Sequence, residues 1–116
     1  MNFFETDLVN GTFSLAGVSH DTGIQVSRRV TIGIRPEALQ PAGPRPMKGN
    51  IGWVETLGAH SLVNVRFDGT ALTALLRSRP AAETIELSID PAQIHVFDND
   101  TGKNLKCLTS GDTAGS

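Results

Sequence analysis

One cysteine, one tryptophan and no tyrosine occur in 116 residues. Cys107 has no second cysteine to bond with, so an internal disulfide is excluded and a reducing compartment is compatible with the chain. His20, His60 and His95 stand far apart without metal-ligand spacing, and a single cysteine cannot complete a zinc knuckle. Acidic residues are scattered, with no pair placed across a cleft for acid–base work. No apolar run approaches the roughly 20 residues that span a bilayer. Met1-Asn2-Phe3-Phe4-Glu5 lacks the basic and apolar regions of a signal peptide. The expected location is the cytoplasm. There is no Gly-x-x-x-x-Gly-Lys-Ser/Thr loop to cradle a nucleotide's phosphates and no Gly-x-Ser-x-Gly elbow. Catalytic, nucleotide-binding and metal-binding residues are therefore not assigned. The net charge of −2 leaves no excess of positive charge to hold a polyanion. With five Phe and one Trp, the aromatics are needed for the core rather than for stacking bases, which argues against nucleic acid as a partner.

What is present is a β pattern. At 39% hydrophobic and 19% charged, the chain is globular, and its length suits one domain that buries a core without disulfides. The organising stretch is Val30-Thr31-Ile32-Gly33-Ile34-Arg35-Pro36-Glu37, in which Val30, Ile32 and Ile34 alternate with Thr31, Gly33 and Arg35. Alternation of this kind is a half-buried strand. Pro36 has no N–H for a ladder and must end it, leaving Arg35 and Glu37 at the strand exit.

In chain order, Phe4 to Val9 predicts a strand and Asn10-Gly11 a type I′ turn. Thr12 to Ala16 returns, Gly17 to Gly23 is expected as loop, and Ile24 to Ser27 as a short strand before Arg28-Arg29. Those two arginines read as solvated surface, with a phosphate contact as the functional alternative. Gln40 to Pro46 holds three prolines and a glycine and is expected as a stiff connection within one domain. Its Pro41-to-Pro44 register is a weak motif for a proline-binding partner.

Lys48 to Leu57 is the next extended run, with Ile51, Trp53 and Glu55 expected on one side and Val54 on the other. Gly49 and Gly52 within it point to a bulge or sharp bend of the sort a small barrel needs at its corners. Trp53 reads as a core or interface anchor rather than a stacking platform. Leu57-Gly58-Ala59-His60-Ser61 turns into Leu62 to Phe67, Asp68-Gly69 makes a second type I′ turn, and Thr70 to Arg77 returns. Thr84 to Ile89 alternates again. Asp90-Pro91 starts a single helical turn with aspartate as N-cap and proline in the first position. Ile94 to Asp98 is a strand, Asn99 to Gly102 a turn and Asn104 to Leu108 a last strand. About ten short strands with almost no helix mean an all-β fold, a small barrel or sandwich.

Four segments occur in one order: Met1-Asn2-Phe3-Phe4, Gly33-Ile34-Arg35-Pro36-Glu37, Val54-Glu55-Thr56-Leu57-Gly58-Ala59, and Asp90 to Asp98 with Thr101-Gly102. Together they resemble the C-terminal regulatory domain, the TOBE (transport-associated OB-like) module, of the ATP-binding subunits of carbohydrate and glycerol-phosphate ABC importers. Ala38 stands where the family usually has a histidine, and the Arg77–Thr84 stretch is short for the family. The resemblance implies a small OB-like (TOBE/MOP-like) β-barrel over residues 1–108, followed by a disordered tail over 109–116. It implies no cofactor in this chain, since ATP and Mg belong to the ATPase domain that precedes this module in the family.

The implied function is regulation and dimerisation in a sugar importer's ATP-binding subunit. The implied partners are its own ATPase domain, a second regulatory domain, the membrane permease subunits and, in some relatives, a sugar-phosphotransferase regulator. The implied location is the inner face of the plasma membrane, held peripherally through the transporter. The chain itself is not an enzyme in this reading, whereas the parent subunit is an ABC-type ATPase. Arg35, Glu37, Trp53 and Glu55 are the candidate pairing surface. The alternative is a free-standing barrel that binds a small oxyanion such as molybdate or sulfate, with Gly58, Ala59, His60 and Ser61 as the candidate loop.

Overall fold

The computed structural model describes residues 1–41 and 43–105. The alternating segments form ten strands among the described residues: β1 (Asn2–Leu8), β2 (Thr12–Leu15), β3 (Val18–Asp21), β4 (Arg28–Ile34), β5 (Leu39–Gln40), β6 (Met47–Leu57), β7 (His60–Phe67), β8 (Thr70–Leu76), β9 (Thr84–Ile89) and β10 (Ile94–Asp98). They make a three-stranded sheet β1-β4-β10, a β2-β3 hairpin and a five-stranded sheet β5-β9-β6-β7-β8. All pairings within the sheets are antiparallel. The large sheet curls until β8 packs on β5 and on the 3-10 turn Pro36–Ala38, giving a nearly closed OB-like barrel.

The core follows from the alternation. Val30, Ile32 and Ile34 of β4 are fully buried, as are Val63, Val65 and Phe67 of β7. Leu72, Ala74 and Leu76 of β8 close over them. Burying one such aliphatic or aromatic side chain is worth about 1.5–3 kcal/mol, so these faces dominate the fold's stability. Pro36 ends β4 as expected and opens the 3-10 turn, while Asp90 caps the turn Pro91–Gln93 by accepting a 3.0 Å hydrogen bond from the Ala92 N–H. The Asp98 carboxylate accepts from the N–H groups of Asp100 and Thr101 and shapes the turn after β10.

Turn chemistry explains most register. Asp68 and Gly69 both take positive φ (51° and 82°), the type I′ requirement between β7 and β8. Asn10 and Gly11 do the same (52° and 78°), yet the hairpin they start is only the bridge Val9–Thr12. Beyond it the strands diverge, because β1 finds a seven-residue partner in β4 whereas β2 pairs with β3. Two expectations are corrected here. Gly17 to Gly23 is not a loop: Ala16-Gly17 (φ 53° and 75°) is a tight turn and Val18–Asp21 returns as β3. Ile24 to Ser27 is not a strand. Its Ile24 is buried, and the backbone carbonyl of Val26 is spent on the Gly11 N–H (2.8 Å) rather than on a ladder. The expected strand Asn104–Leu108 is represented by one bridge, Phe97–Asn104, and by Leu105, which packs against the core; residues 106–108 and the tail at 109–116 lie outside the described residues.

Candidate functional site

The bulge expected in β6 is real, and it overturns the expected facing of that strand. Asn50 and Ile51 pair with Arg66 and Val65, and the next pair is Trp53 with Asn64, so Gly52 is the extra residue. A bulge interrupts the period-2 alternation. Ile51 and Val54 both pack against the core, while Trp53 between them faces out. Ile51 and Trp53 are therefore on opposite faces, not on one. Trp53 is not a core residue; it is 49% exposed, and Leu57 four residues on is 47% exposed. Trp53, Glu55 and Leu57 follow one another at the outward positions of the β6 segment beyond the bulge.

This segment belongs to a projecting arm. Pairing of β6 with β9 ends at Asn50–Thr84, whereas pairing with β7 continues to Leu57–His60. Among the described residues, those beyond Ile51 in β6 thus have no ladder partner on the β9 side. The Arg79 guanidinium reaches back to the arm, donating to the Thr56 hydroxyl (3.1 Å). Across the arm's outer face, Glu55 aligns with Leu62 and Leu75, both half-buried. An aromatic and an aliphatic residue, both half exposed and beside further leucines, are the composition of a contact surface. Leu57 was hidden in the sequence because it reads as the start of a turn.

Arg35 and Glu37 are exposed where β4 leaves its sheet. They make no ion pair with each other among the described residues; the Arg35 and Glu37 carbonyls accept from the Ala38 N–H (2.9 Å) and the Gln40 side chain (2.6 Å). Register places Trp53, Asn64 and Thr73 in one row across β6, β7 and β8, and Asn2 opposite Ile34 in the three-stranded sheet. Trp53 and Glu55 thus lie on the five-stranded sheet, and Arg35 and Glu37 beyond the end of β4 in the three-stranded one. The four candidate pairing residues form two patches, Trp53 with Glu55 and Arg35 with Glu37.

Gly58 and Ala59 are the two-residue tip of the arm, with positive φ at Gly58 only (61°), as a type II′ turn requires. His60 is exposed beside them, but Ser61 is 3% exposed and faces the barrel interior, so the four residues do not share one surface. Arg28 and Arg29 are engaged inside the fold's own surface: Arg28 pairs with Asp98 at 3.0 Å, Arg29 with Asp7 at 3.3 Å and Glu5 at 3.7 Å. Among the described residues no group of three His, Cys, Asp or Glu is placed to hold a metal ion. No helix among them is long and apolar enough to cross a membrane.

Comparison with known proteins adds the family. The profile of the TOBE domain matches residues 32–97, from the middle of β4 to β10. The chain is 33% identical over 112 residues to the sn-glycerol-3-phosphate import ATP-binding protein UgpC of Ruegeria pomeroyi, covering 90% of this chain and 32% of that protein. It is 34% identical over 92 residues to the sulfoquinovosyl glycerol transport ATP-binding protein SmoE of Agrobacterium fabrum, covering 75% of this chain and 25% of that protein. A UgpC protein of Yersinia pestis is 34% identical over 83 residues, 68% of this chain and 23% of its own length. The chain thus spans at most about a third of these relatives.

Proposed function

The chain belongs to the TOBE domain family, and on that premise we propose that it is the regulatory, self-pairing domain of an importer's ATP-binding subunit. The supporting observation is the β6–β7 arm, which leaves Trp53 and Leu57 about half exposed beside the half-buried Leu62 and Leu75. The relatives' names describe ATP-binding proteins for import of sn-glycerol-3-phosphate and transport of sulfoquinovosyl glycerol. By analogy the parent subunit of this chain drives uptake of a small polyhydroxylated or phosphorylated solute. In that subunit the barrel packs on an ATPase domain, and the subunit sits peripherally at the membrane through its permease partners. ATP and Mg belong to the ATPase domain.

The mechanism is coupling. A barrel with few moving parts keeps two subunits paired while their ATPase halves open and close. A regulator, such as a phosphotransferase-system protein, that binds one arrangement better shifts the equilibrium by its differential affinity, typically about 1–3 kcal/mol. The arm's patch around Trp53 and the β4-exit patch around Arg35 and Glu37 are the two contact areas in this reading. Sedimentation equilibrium tests it. The expected result is a concentration-dependent dimer that Trp53→Ala weakens by tenfold or more, with a smaller loss for Arg35→Ala. Unchanged association in both variants overturns the assignment.

A further inference from the structure

The outer half of β6 is an open strand edge. Gly58-Ala59 is a two-residue turn, so Leu57 and His60 beside it are a pair that exchanges hydrogen bonds. Such pairs alternate along an antiparallel ladder, so Glu55–Leu62 and Trp53–Asn64 bond in the same way. The N–H and C=O groups of Val54 and Thr56 therefore point away from β7. On that side the chain entering β9 has already turned off. Its bond to β6 nearest the arm is the Ile51 N–H donating to the Glu83 carbonyl (2.8 Å), and no group among the described residues bonds the backbone of Val54 or Thr56. The bond from Arg79 goes to the Thr56 hydroxyl and leaves the peptide groups open.

An edge of this kind templates another strand, and folds usually blunt it with lysine, proline or a covering segment. Residues 53–57 contain neither lysine nor proline, and Glu55 is their one charge. Their side chains alternate about Glu55, with Trp53 and Leu57 on the outer face and Val54 and Thr56 on the inner. The segment is thus complementary to itself when run antiparallel, which is the property a two-fold contact requires.

We propose that two copies of this chain join edge to edge along residues 53–57 of β6, antiparallel about Glu55, so that their five-stranded sheets become continuous. The proposal rests on the self-pairing reading and states how the pairing is made. In this register Val54 of each copy lies opposite Thr56 of the other, and every open N–H and C=O of the two residues gains a partner. Trp53 of each lies opposite Leu57 of the other, covering two side chains that are half exposed in the single copy. A shift toward Gly52 would set Leu57 against Ile51, whose edge Glu83 already holds. A shift toward the tip would leave Trp53 and Val54 opposite the Gly58-Ala59 turn. The chosen register has one cost, since Glu55 faces Glu55 of the second copy, and like charges directly opposite are destabilising. That cost gives the contact a signature.

The experiment is amide exchange by NMR together with sedimentation equilibrium, on the whole chain, from dilute to concentrated. In dilute solution the Val54 and Thr56 amides should exchange faster than those of Trp53 and Glu55, which serve the β7 ladder. On concentration the Val54 and Thr56 amides should slow at least tenfold. Glu55→Gln removes the opposed charges and should tighten the dimer about twofold to fivefold at low ionic strength. Glu86→Gln takes the same charge from an exposed position on β9 and should leave the dimer as it is. A dimer whose Val54 and Thr56 amides stay as fast as in the single copy, or one that Glu55→Gln tightens no more than Glu86→Gln does, overturns edge pairing while the self-pairing reading stands. No dimer at any concentration overturns both.

Discussion

The side-chain amide of Asn2 completes the edge of β8 by bonding both backbone groups of Thr73. Its Nδ2 donates to the Thr73 carbonyl (2.8 Å) and its Oδ1 accepts from the Thr73 N–H (2.9 Å), across 71 residues of chain. One carboxamide thereby stands in for a strand residue and joins the three-stranded sheet to the five-stranded one. Asn2→Ala removes both bonds and leaves a half-buried peptide unit unpaired. The expected cost is about 1–3 kcal/mol in urea unfolding. Asn2→Asp keeps the shape but sets a carboxylate against a carbonyl, and it should be at least as damaging.

Gly49 and Gly58 separate two reasons for glycine. A Cβ at Gly49 would run into Val65 and lie 2.8 Å from the Arg66 carbonyl oxygen and the Phe67 ring. At Gly58 nothing stands within 4 Å, but φ is +61°. Gly49→Ala should therefore cost about 1–3 kcal/mol or more through overpacking. Gly58→Ala should cost about 1–2 kcal/mol through backbone strain alone. Melting of the two variants side by side checks the order.

Trp53 is the sole tryptophan, so its fluorescence reports one position. At high dilution the emission should be that of a solvent-exposed indole and open to acrylamide quenching. On concentration it should shift to the blue and become protected as the arm is covered. Trp53→Ala should change folding stability by no more than about 0.5 kcal/mol, because the ring lies outside the core.

Stability should depend on pH through His20. Its pKa is lowered from 6.5 first by burial and then by Arg45, so the unfolded chain takes up the proton before the folded one does. The contribution is complete above pH 6.5 and is lost as pH falls from 6.5 through the lowered folded value. Asp98 acts in a lower window. The N–H groups of Asp100 and Thr101, and less strongly Arg28, hold its carboxyl below 3.8, so its contribution is lost only as pH falls from 3.8 through that lower value. Melting temperatures from pH 7.5 to about 5 should thus decline in the parent chain, and the decline should flatten in His20→Phe.

Much of the fold was legible because its signals are local. The alternation of Val30, Ile32 and Ile34, the Asp68-Gly69 turn and the Asp90-Pro91 cap each need only near neighbours to act. The β3 strand was missed because its turn uses Ala16 at positive φ, a residue that carries no turn signal. The site was less legible. Gly52 announced a bulge, but a bulge does not say which side chain it turns outward. Arg35 and Trp53 were grouped from sequence, and their separation depends on the order of strands between them.

The sequence by itself determined the class of this protein: all-β, with each buried face written as period-2 alternation and most turns as Gly, Asn, Asp or Pro. Only the tertiary structure decided which strands became neighbours, which half of β6 was left without a second partner, and where unmatched polar groups came to rest. The physical reason is range. Backbone preference and side-chain alternation act over a few residues, whereas burial and hydrogen-bond satisfaction, as between Asn2 and Thr73, are settled when distant segments meet.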